Sequence, residues 1–253
     1  MIILLSPAKT LDFEPLFNNS NHTLPCMIKE ANELAALMKR IMPAGLSELM
    51  GISPKLADLN YERYQLWTNN DTVKAHKQAI YAFKGDVYTG LNVESLKDTE
   101  YLQRHVRILS GLYGYLKPLD LIQPYRLEMG TKLSNKKGKD LYAFWYDRVF
   151  NALNKDLKKD NSPYVINLAS NEYYRVVNKF LDPSDVITPV FKDFKNDQYK
   201  VISFLAKKAR GMMTRFIAEN KIEDPENIKS FDLGGYSYSE TMSKEKEWVF
   251  IRG

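Results

Sequence analysis

Carboxylate and cationic side chains stand close together in loop-like stretches of this sequence, where they could transfer protons. Asp120 and Glu128 share one stretch with Arg126, and Glu172 follows a separate apolar run. General acid–base catalysis uses a carboxyl group that exchanges a proton, and a nearby cation such as Lys9 can orient the reacting group. We therefore name Lys9, Asp120 and Glu128 as hypothetical catalytic residues. The alternative is that Asp120, Arg126 and Glu128 form internal salt bridges that stiffen a loop.

Glycines and tyrosines around these residues indicate what the substrate would be. They could form a slot for a base turned out of a nucleic acid, and the reaction would be hydrolysis or exchange at a nucleobase or nucleotide. Other catalytic patterns are absent from the sequence, which has no Walker loop, no Gly-x-Gly-x-x-Gly after a strand and no Gly-x-Ser-x-Gly elbow. Ser6, Ser110 and Ser170 have no recognisable histidine partner, so a serine nucleophile is not indicated.

Basic residues favour a second function, the binding of nucleic acid. The formal net charge is +5, and the basic residues from Lys200 to Arg215 precede the next acid, Glu219. Such clusters neutralise phosphates, and a nearby tyrosine can stack on a base. A solvated basic face is the alternative. No base-reading module is recognisable, so the expected binding is non-specific. The residues predicted to contact nucleic acid are Lys9, Lys55, Lys117, Tyr125, Arg126, Lys207, Lys208, Arg210 and Arg215.

Candidate metal ligands are not grouped in this sequence. His22, His76 and His105 are scattered, and the pair His22 and Cys26 has no second pair beside it. We expect no dedicated metal site and no cofactor. A single cysteine suits a reducing compartment, no apolar run is long enough to span a bilayer, and the first residues do not resemble a signal peptide. We therefore expect a cytoplasmic protein without a membrane contact.

Three short apolar runs, each followed by a serine, must position these groups. They are Ile2–Leu5, the run that begins at Val106, and Tyr164–Leu168. Buried parallel strands have this continuous apolar pattern, and the loops that follow such strands meet at one sheet edge, where ligands bind. Glycines and prolines in Val106–Gly130 set the backbone direction without helix or sheet. We expect this segment to be an ordered site loop at that edge.

The remaining periodicity predicts helices around a mixed sheet. Apolar spacing indicates helices over Ile28–Met42, Thr72–Phe83, 94–105 and Asp140–Leu157. Val186–Phe191 and Tyr199–Ala206 have the pattern of a hairpin, and Trp248–Ile251 that of a closing strand. We expect one α/β (mixed α+β) domain over residues 1–253, in which a mixed sheet is flanked by helices and bordered by a basic cleft.

Residues 46–64 resemble a helix-hairpin-helix element appended to this domain. The turn Gly51-Ile52-Ser53 separates two helical stretches, and Ser53 followed by Pro54 marks the start of the second. Such an element holds the DNA backbone on its hairpin amides and a following lysine, here Lys55. A glycine-containing corner between two helices is common without DNA binding, and this is the alternative.

Four motifs, in chain order, resemble the peroxide stress protein YaaA family. They are Ser6-Pro7-Ala8-Lys9-Thr10-Leu11, the stretch Leu109–Gly130, Asn167-Leu168-Ala169-Ser170-Asn171-Glu172-Tyr173 and Lys207-Lys208-Ala209-Arg210-Gly211. The resemblance implies a cytoplasmic bacterial protein that limits damage from hydrogen peroxide and is linked to lower free iron. It also implies DNA binding and an unusual α/β fold with a helix-hairpin-helix element and a basic cleft.

We therefore predict a stress-response protein that binds DNA non-specifically through the cleft. Without grouped metal ligands, any effect on iron would be indirect, for example through protection of DNA from Fenton chemistry. An enzyme that acts on a nucleobase or nucleotide in the same cleft is the alternative. A third class, a protein-interaction regulator of iron homeostasis, would show an exposed apolar surface in place of the cleft.

Overall fold

A computed structural model describes residues 1–14, 21–69 and 76–253 of the chain. The strands are β1 (Ile2–Leu5), β2 (Thr10–Leu11), β3 (Lys77–Gln78), β4 (Phe83–Lys84), β5 (Val106–Ser110), β6 (Gly114–Leu116), β7 (Leu121–Ile122), β8 (Val165–Leu168), β9 (Val186–Phe194), β10 (Tyr199–Lys200), β11 (Ser237–Tyr238) and β12 (Glu247–Arg252). The helices are α1 (Ile28–Met38), α2 (Pro43–Met50), α3 (Pro54–Gln65), α4 (Ala79–Ala82), α5 (Asp86–Leu91), α6 (Glu100–His105), α7 (Leu141–Asp160), α8 (Asn171–Tyr174) and α9 (Ser203–Glu219).

A mixed sheet forms the centre of the molecule, as the sequence predicts. Its strand order is β11-β12-β9-β8-β1-β5-β6, and β10 pairs with β9. The pairs β1–β5, β1–β8, β8–β9 and β9–β12 are parallel, whereas β6, β10 and β11 are antiparallel to their neighbours. Leu5 is in register with Ile108 on one side and Leu168 on the other. The carboxyl ends of β1, β5 and β8 therefore meet at one edge.

The long helix α7 packs on this sheet with the apolar stripe that its periodicity predicts. Leu141, Phe144, Trp145, Val149 and Leu153 are all buried. Asp140 caps the helix, because its carboxylate accepts a hydrogen bond from the backbone N–H of Ala143 at 2.8 Å. The indole of Trp145 donates to the carbonyl oxygen of Gly111 at 2.8 Å, which ties α7 to the turn after β5.

Two predicted helices are shorter in the structure than in the sequence interpretation. Of the predicted helix Thr72–Phe83, residues 72–75 are outside the described residues. The described part, 76–83, is helical only in α4. Lys77 and Gln78 instead form β3, which pairs with Ile122 and Leu121 of β7. Within 94–105, the α-helix begins only at Glu100. Pairing with distant strands overrides local helical spacing in the first case.

The predicted hairpin strand Tyr199–Ala206 is mostly wrong. Only Tyr199 and Lys200 pair with β9, and helix α9 begins at Ser203. The buried residues of α9 recur every three or four positions, at Ala206, Ala209, Met213 and Ile217, so this stretch buries its apolar side chains as a helix. The basic motif from residue 207 is therefore helical.

The predicted helical hairpin at residues 46–64 is present as α2 and α3. Helix α2 ends at Gly51, whose φ of 61° is left-handed, and α3 begins with Pro54 in its first turn. The Ser53 hydroxyl accepts a hydrogen bond from the N–H of Leu56 at 3.4 Å. Local turn chemistry was sufficient to predict this pair of helices.

Candidate functional site

A cleft of about 560 Å³ lies at the sheet edge where β1 and β8 end. The residues after β1 form one wall, those after β8 form a second, and α5 with α9 closes a third. Its lining residues include Ser6, Lys9, Lys84, Tyr88, Ser170, Glu172, Tyr173, Lys207 and Arg210. This is the edge at which parallel α/β sheets bind ligands.

Serine hydroxyls join the first two walls directly. The Ser6 hydroxyl accepts a hydrogen bond from the N–H of Ser170 at 2.8 Å, and it also lies 3.3 Å from the Ser170 hydroxyl. The Tyr88 hydroxyl donates to the carbonyl oxygen of Ser6 at 3.0 Å. Burial raises the pKa of Tyr88 well above its ordinary value, so this hydroxyl stays protonated as a donor. The base of the cleft is therefore held by fixed hydrogen bonds.

The third wall depends on an unusually close crossing of α5 and α9. A Cβ atom built on Gly211 would lie 1.8 Å from the carbonyl oxygen of Val87, and one on Gly90 would lie 2.0 Å from that of Lys208. No side chain fits at either position, because the obstacle is backbone. This crossing sets the position of α9, and with it the positions of Lys207 and Arg210 in the cleft.

Glu128 is the carboxylate that connects the cleft to the segment 106–130. Its two oxygens accept from Lys9 at 2.6 Å and from Arg126 at 3.0 Å. Glu172 lies nearby in the fold, because its carboxylate accepts a hydrogen bond from the N–H of Gly130 at 2.9 Å. The structure thus brings Lys9, Arg126, Glu128 and Glu172 together around the end of the segment.

Arg210 is half-buried in the cleft without a carboxylate partner among the described residues. Burial lowers the pKa of its guanidinium below the ordinary value. Lys207 lies one turn earlier on α9, and it and Lys208 are exposed and likewise form no ion pair with described residues. A half-buried cation that no protein carboxylate neutralises favours an anion in the cleft.

Other residues proposed from the sequence lie elsewhere. Asp120 is 2% exposed and accepts hydrogen bonds from the Thr23 hydroxyl at 2.6 Å and the N–H of Lys117 at 2.8 Å. Lys117 lines a separate groove that also contains Ile2, at the amino ends of the strands. Asp120 and Lys117 are thus at the opposite edge from the cleft, because the chain between β6 and β7 returns there.

Lys55, Arg215 and Tyr125 are also separate from the cleft lining. Lys55 is exposed in the first turn of α3. Arg215 donates to the carbonyl oxygen of Asn92 at 3.1 Å and pairs with Glu219 at 2.6 Å. Tyr125 is 4% exposed, and its hydroxyl lies 2.7 Å from that of Ser110, so neither face of its ring is open to a base.

Sequence reasoning missed two cations near the site. Lys84 lines the cleft from β4 and pairs with Asp12 at 2.7 Å. Arg63 is on α3, the helix that contacts the segment 106–130 where the hydroxyl of the adjacent Tyr64 donates to the carbonyl oxygen of Arg126 at 2.9 Å. No sequence signal marks Arg63, since it is one of several charged residues on an amphipathic helix.

The described ranges bear on two further features, metal binding and membrane crossing. They hold no group of three or more His, Cys, Asp and Glu side chains that could bind a metal ion. His105 is buried, with its Nδ1 atom 2.9 Å from the carbonyl oxygen of Met1. In these ranges no helix is both long enough and apolar enough to cross a bilayer.

Fold and cleft together define a mixed α/β protein with a cation-lined cleft at the carboxyl edge of its parallel strands. The chain belongs to the peroxide stress protein YaaA family, whose model matches residues 1–242. A similar relative is the UPF0246 protein of Teredinibacter turnerae, which is 52% identical over 100% of this chain and 99% of the relative. Another is the UPF0246 protein of Alteromonas mediterranea, which is 53% identical over 100% of this chain and 98% of the relative. A third, from Hahella chejuensis, is 51% identical over 100% of this chain and 99% of the relative. The family resemblance of the four motifs is confirmed.

Proposed function

We propose that this protein binds DNA non-specifically at the cleft and so limits the damage that hydrogen peroxide and iron cause. The observation that carries the proposal is Arg210, half-buried in the cleft without an acidic partner among the described residues and followed along α9 by no acid before Glu219. Lys207 and Lys208 add two exposed positive charges beside it. The family name supports a role in peroxide stress.

The dimensions of the cleft bear on how DNA would be held. A volume of about 560 Å³ is that of a small-molecule site, so at most one nucleotide would enter while the rest of the strand crosses the mouth. Phe204 lies one turn before Lys207 on α9 and is 60% exposed, so its ring is open to stack on a base. Phe204 would thus replace the buried Tyr125 as the stacking residue.

The salt dependence of binding tests this proposal. Fluorescence anisotropy with a labelled oligonucleotide should show affinity that falls steeply with salt, because each neutralised phosphate releases counterions. The double variant Lys207→Gln/Arg210→Gln should flatten the slope of log K against log[salt] by about two. Lys117→Gln/Lys159→Gln, which removes two cations at the opposite sheet edge, is the matched control and should leave the slope unchanged. Affinity independent of salt in the wild type would contradict the proposal.

A second candidate function is catalysis on a nucleobase or nucleotide in the same cleft. Glu128 favours it, because a carboxylate held between Lys9 and Arg126 is oriented for proton transfer. Glu128→Gln and Lys9→Ala should abolish turnover of such a substrate and leave DNA affinity mostly intact. If both variants unfold instead, as circular dichroism would show, these residues serve as internal salt bridges.

The effect on iron would be indirect in this proposal. DNA covered by protein is less accessible to hydroxyl radicals formed by Fe²⁺ and hydrogen peroxide, so binding itself would protect. A regulator that acts through protein contacts is the remaining class considered from the sequence. It would use an exposed apolar surface, whereas Lys207 and Arg210, which have no acidic partner among the described residues, favour a polyanion at the cleft.

A further inference from the structure

Two arginines belong to elements that meet beside the cleft, Arg63 to α3 and Arg126 to the segment 106–130. Tyr64 ties the two elements, since its hydroxyl donates to the carbonyl oxygen of Arg126. Burial lowers the pKa of Arg63; Tyr64 opposes this, and the positive charge of Arg126 makes a smaller contribution that lowers the pKa. The helical hairpin and the cleft are therefore adjacent at this point.

Positive charge exceeds negative charge around this pair. Arg126 and Lys9 share the single carboxylate of Glu128. Among the residues the structure describes, the acceptor for Arg63 is neutral, the side-chain oxygen of Asn60 at 3.3 Å. With Glu172 nearby, three cations and two carboxylates therefore belong to this part of the described structure.

One hydrogen-bond donor of the pair has no acceptor in the described part of the chain. The Nε atom of Arg126 is buried and has no hydrogen-bond partner there, although its Nη2 atom reaches Glu128. Buried polar groups are nearly always paired, and an unpaired charged donor is costly. A bound anion would provide the missing acceptor and also offset the charge of Arg63.

We propose that Arg63 and Arg126 form a phosphate subsite at the side of the cleft. A phosphate group fits because its oxygens can accept from the planar forks of two guanidinium groups, as in bidentate arginine–phosphate pairs. The proposal rests on the proposed function only for the source of that phosphate, a strand of DNA. A small phosphorylated molecule would present the same chemistry.

Arg63 is the residue to change, because its side chain pairs with no carboxylate among the described residues, whereas Arg126 is held by Glu128. In the oligonucleotide assay, Arg63→Gln should flatten the slope of log K against log[salt] by about one, and Arg63→Lys, which keeps the charge, should restore it. Arg104→Gln is the matched control. It removes an exposed arginine of α6 at the opposite sheet edge and should leave the slope unchanged.

Inorganic phosphate provides a second readout that does not depend on DNA. Millimolar phosphate, compared with chloride at equal ionic strength, should raise the melting temperature of the wild type, because a ligand that binds only the folded state stabilises it. The shift should be lost in Arg63→Gln and kept in Arg104→Gln. Arg63→Lys should keep only part of it, because an ammonium lacks the planar fork.

The outcomes separate this subsite from the proposed function. If DNA binds and Arg63→Gln leaves both the salt slope and the phosphate shift unchanged, the subsite is refuted while DNA binding stands. If DNA does not bind but phosphate stabilises through Arg63, the subsite stands and its phosphate comes from a small molecule. If neither DNA nor phosphate has an effect, both proposals fail.

Discussion

Two carboxylates that the sequence presents as equivalent have different surroundings in the structure. Glu128 is 21% exposed and pairs with two cations at the cleft. Asp120 is buried, and its oxygens accept from Thr23 and from the N–H of Lys117. Burial raises the pKa of Asp120, opposed by these hydrogen bonds. Asp120 therefore supports the chain between β6 and β7, whereas Glu128 is available to a ligand.

Removal of Asp120 should destabilise the protein and leave the cleft unaffected. Asp120→Ala removes a buried acceptor of two hydrogen bonds, from the Thr23 hydroxyl and the Lys117 N–H, which should lower the free energy of unfolding by about 2 kcal/mol. Urea denaturation measures the change. Asp58→Ala, on the exposed face of α3, should change stability by less than about 0.5 kcal/mol. A stable Asp120→Ala protein that has lost activity would restore Asp120 as a catalytic candidate.

Cys26 should not behave as a peroxide-reactive thiol. Although the residue as a whole is exposed, partial burial of its sulfur raises the pKa of the thiol, with smaller contributions from the Asp120 and Asp156 carboxylates, and the sulfur lies 3.7 Å from the carbonyl oxygen of Tyr115. Because the thiolate is the nucleophile, a raised pKa shifts its reactivity to higher pH. The pH profile of alkylation by iodoacetamide should have its midpoint above that of free cysteine. A midpoint below neutral pH would point to a thiol peroxidase.

At the scale of secondary structure, the crossing of α5 and α9 decides where the cleft cations lie. Gly211→Ala would place a methyl group against the backbone of Val87 and Leu91, which cannot move independently. We expect it to lower the free energy of unfolding by about 3 kcal/mol. In the fraction that still folds, DNA binding should be weaker because Arg210 is displaced. Thermal denaturation and anisotropy measure the two effects.

Gly45→Ala in α2 is the matched control for this change. Its new methyl group would meet a side-chain atom, Cγ2 of Ile41, rather than backbone, and alanine favours helix. Stability should change by no more than about 1 kcal/mol. Equal effects of Gly45→Ala and Gly211→Ala would show that the crossing is not as tight as the structure indicates.

At the scale of the whole molecule, cations are present at both edges of the sheet. The cleft at the carboxyl edge contains Lys207 and Arg210, whereas the groove at the amino edge contains Lys117 and Lys159. In that groove, Arg107 already pairs with Asp156 at 2.6 Å, and the Met1 amino group pairs with Asp160. Internal neutralisation at the amino edge favours the carboxyl edge, with its Lys207 and Arg210, for the proposed binding of a polyanion.

Protection of DNA by coverage can be measured with purified components. Plasmid exposed to Fe²⁺ and hydrogen peroxide should acquire fewer strand breaks when saturated with the wild type, because bound protein shields the backbone. Lys207→Gln/Arg210→Gln should protect several-fold less at the same concentration, and Lys117→Gln/Lys159→Gln should protect fully. Equal protection by all three proteins would indicate scavenging of iron or peroxide without DNA binding.

Local signals account for the elements that were predicted well. Continuous apolar runs specify β1, β5 and β8, heptad-like spacing specifies α7, and Ser53 with Pro54 starts α3. These features depend on neighbouring residues alone. Tyr199–Ala206 was mistaken for a strand because a short apolar run has no unambiguous period, and only packing against α5 distinguishes the helix.

The amino-acid sequence by itself determined the family, the parallel strands with their serine ends, and the basic composition of residues 200–215. It determined these because each is written in types and spacings of residues near one another in the chain. Tertiary structure decided which charges meet: it placed Lys9 and Arg210 in one cleft, Arg63 beside Arg126, and Asp120 and Lys117 at the far edge. Which charges meet depends on how distant segments of the chain cross. Gly90 and Gly211, for example, allow the backbones of α5 and α9 to touch. The spacing of residues along the chain does not give the distance between such segments.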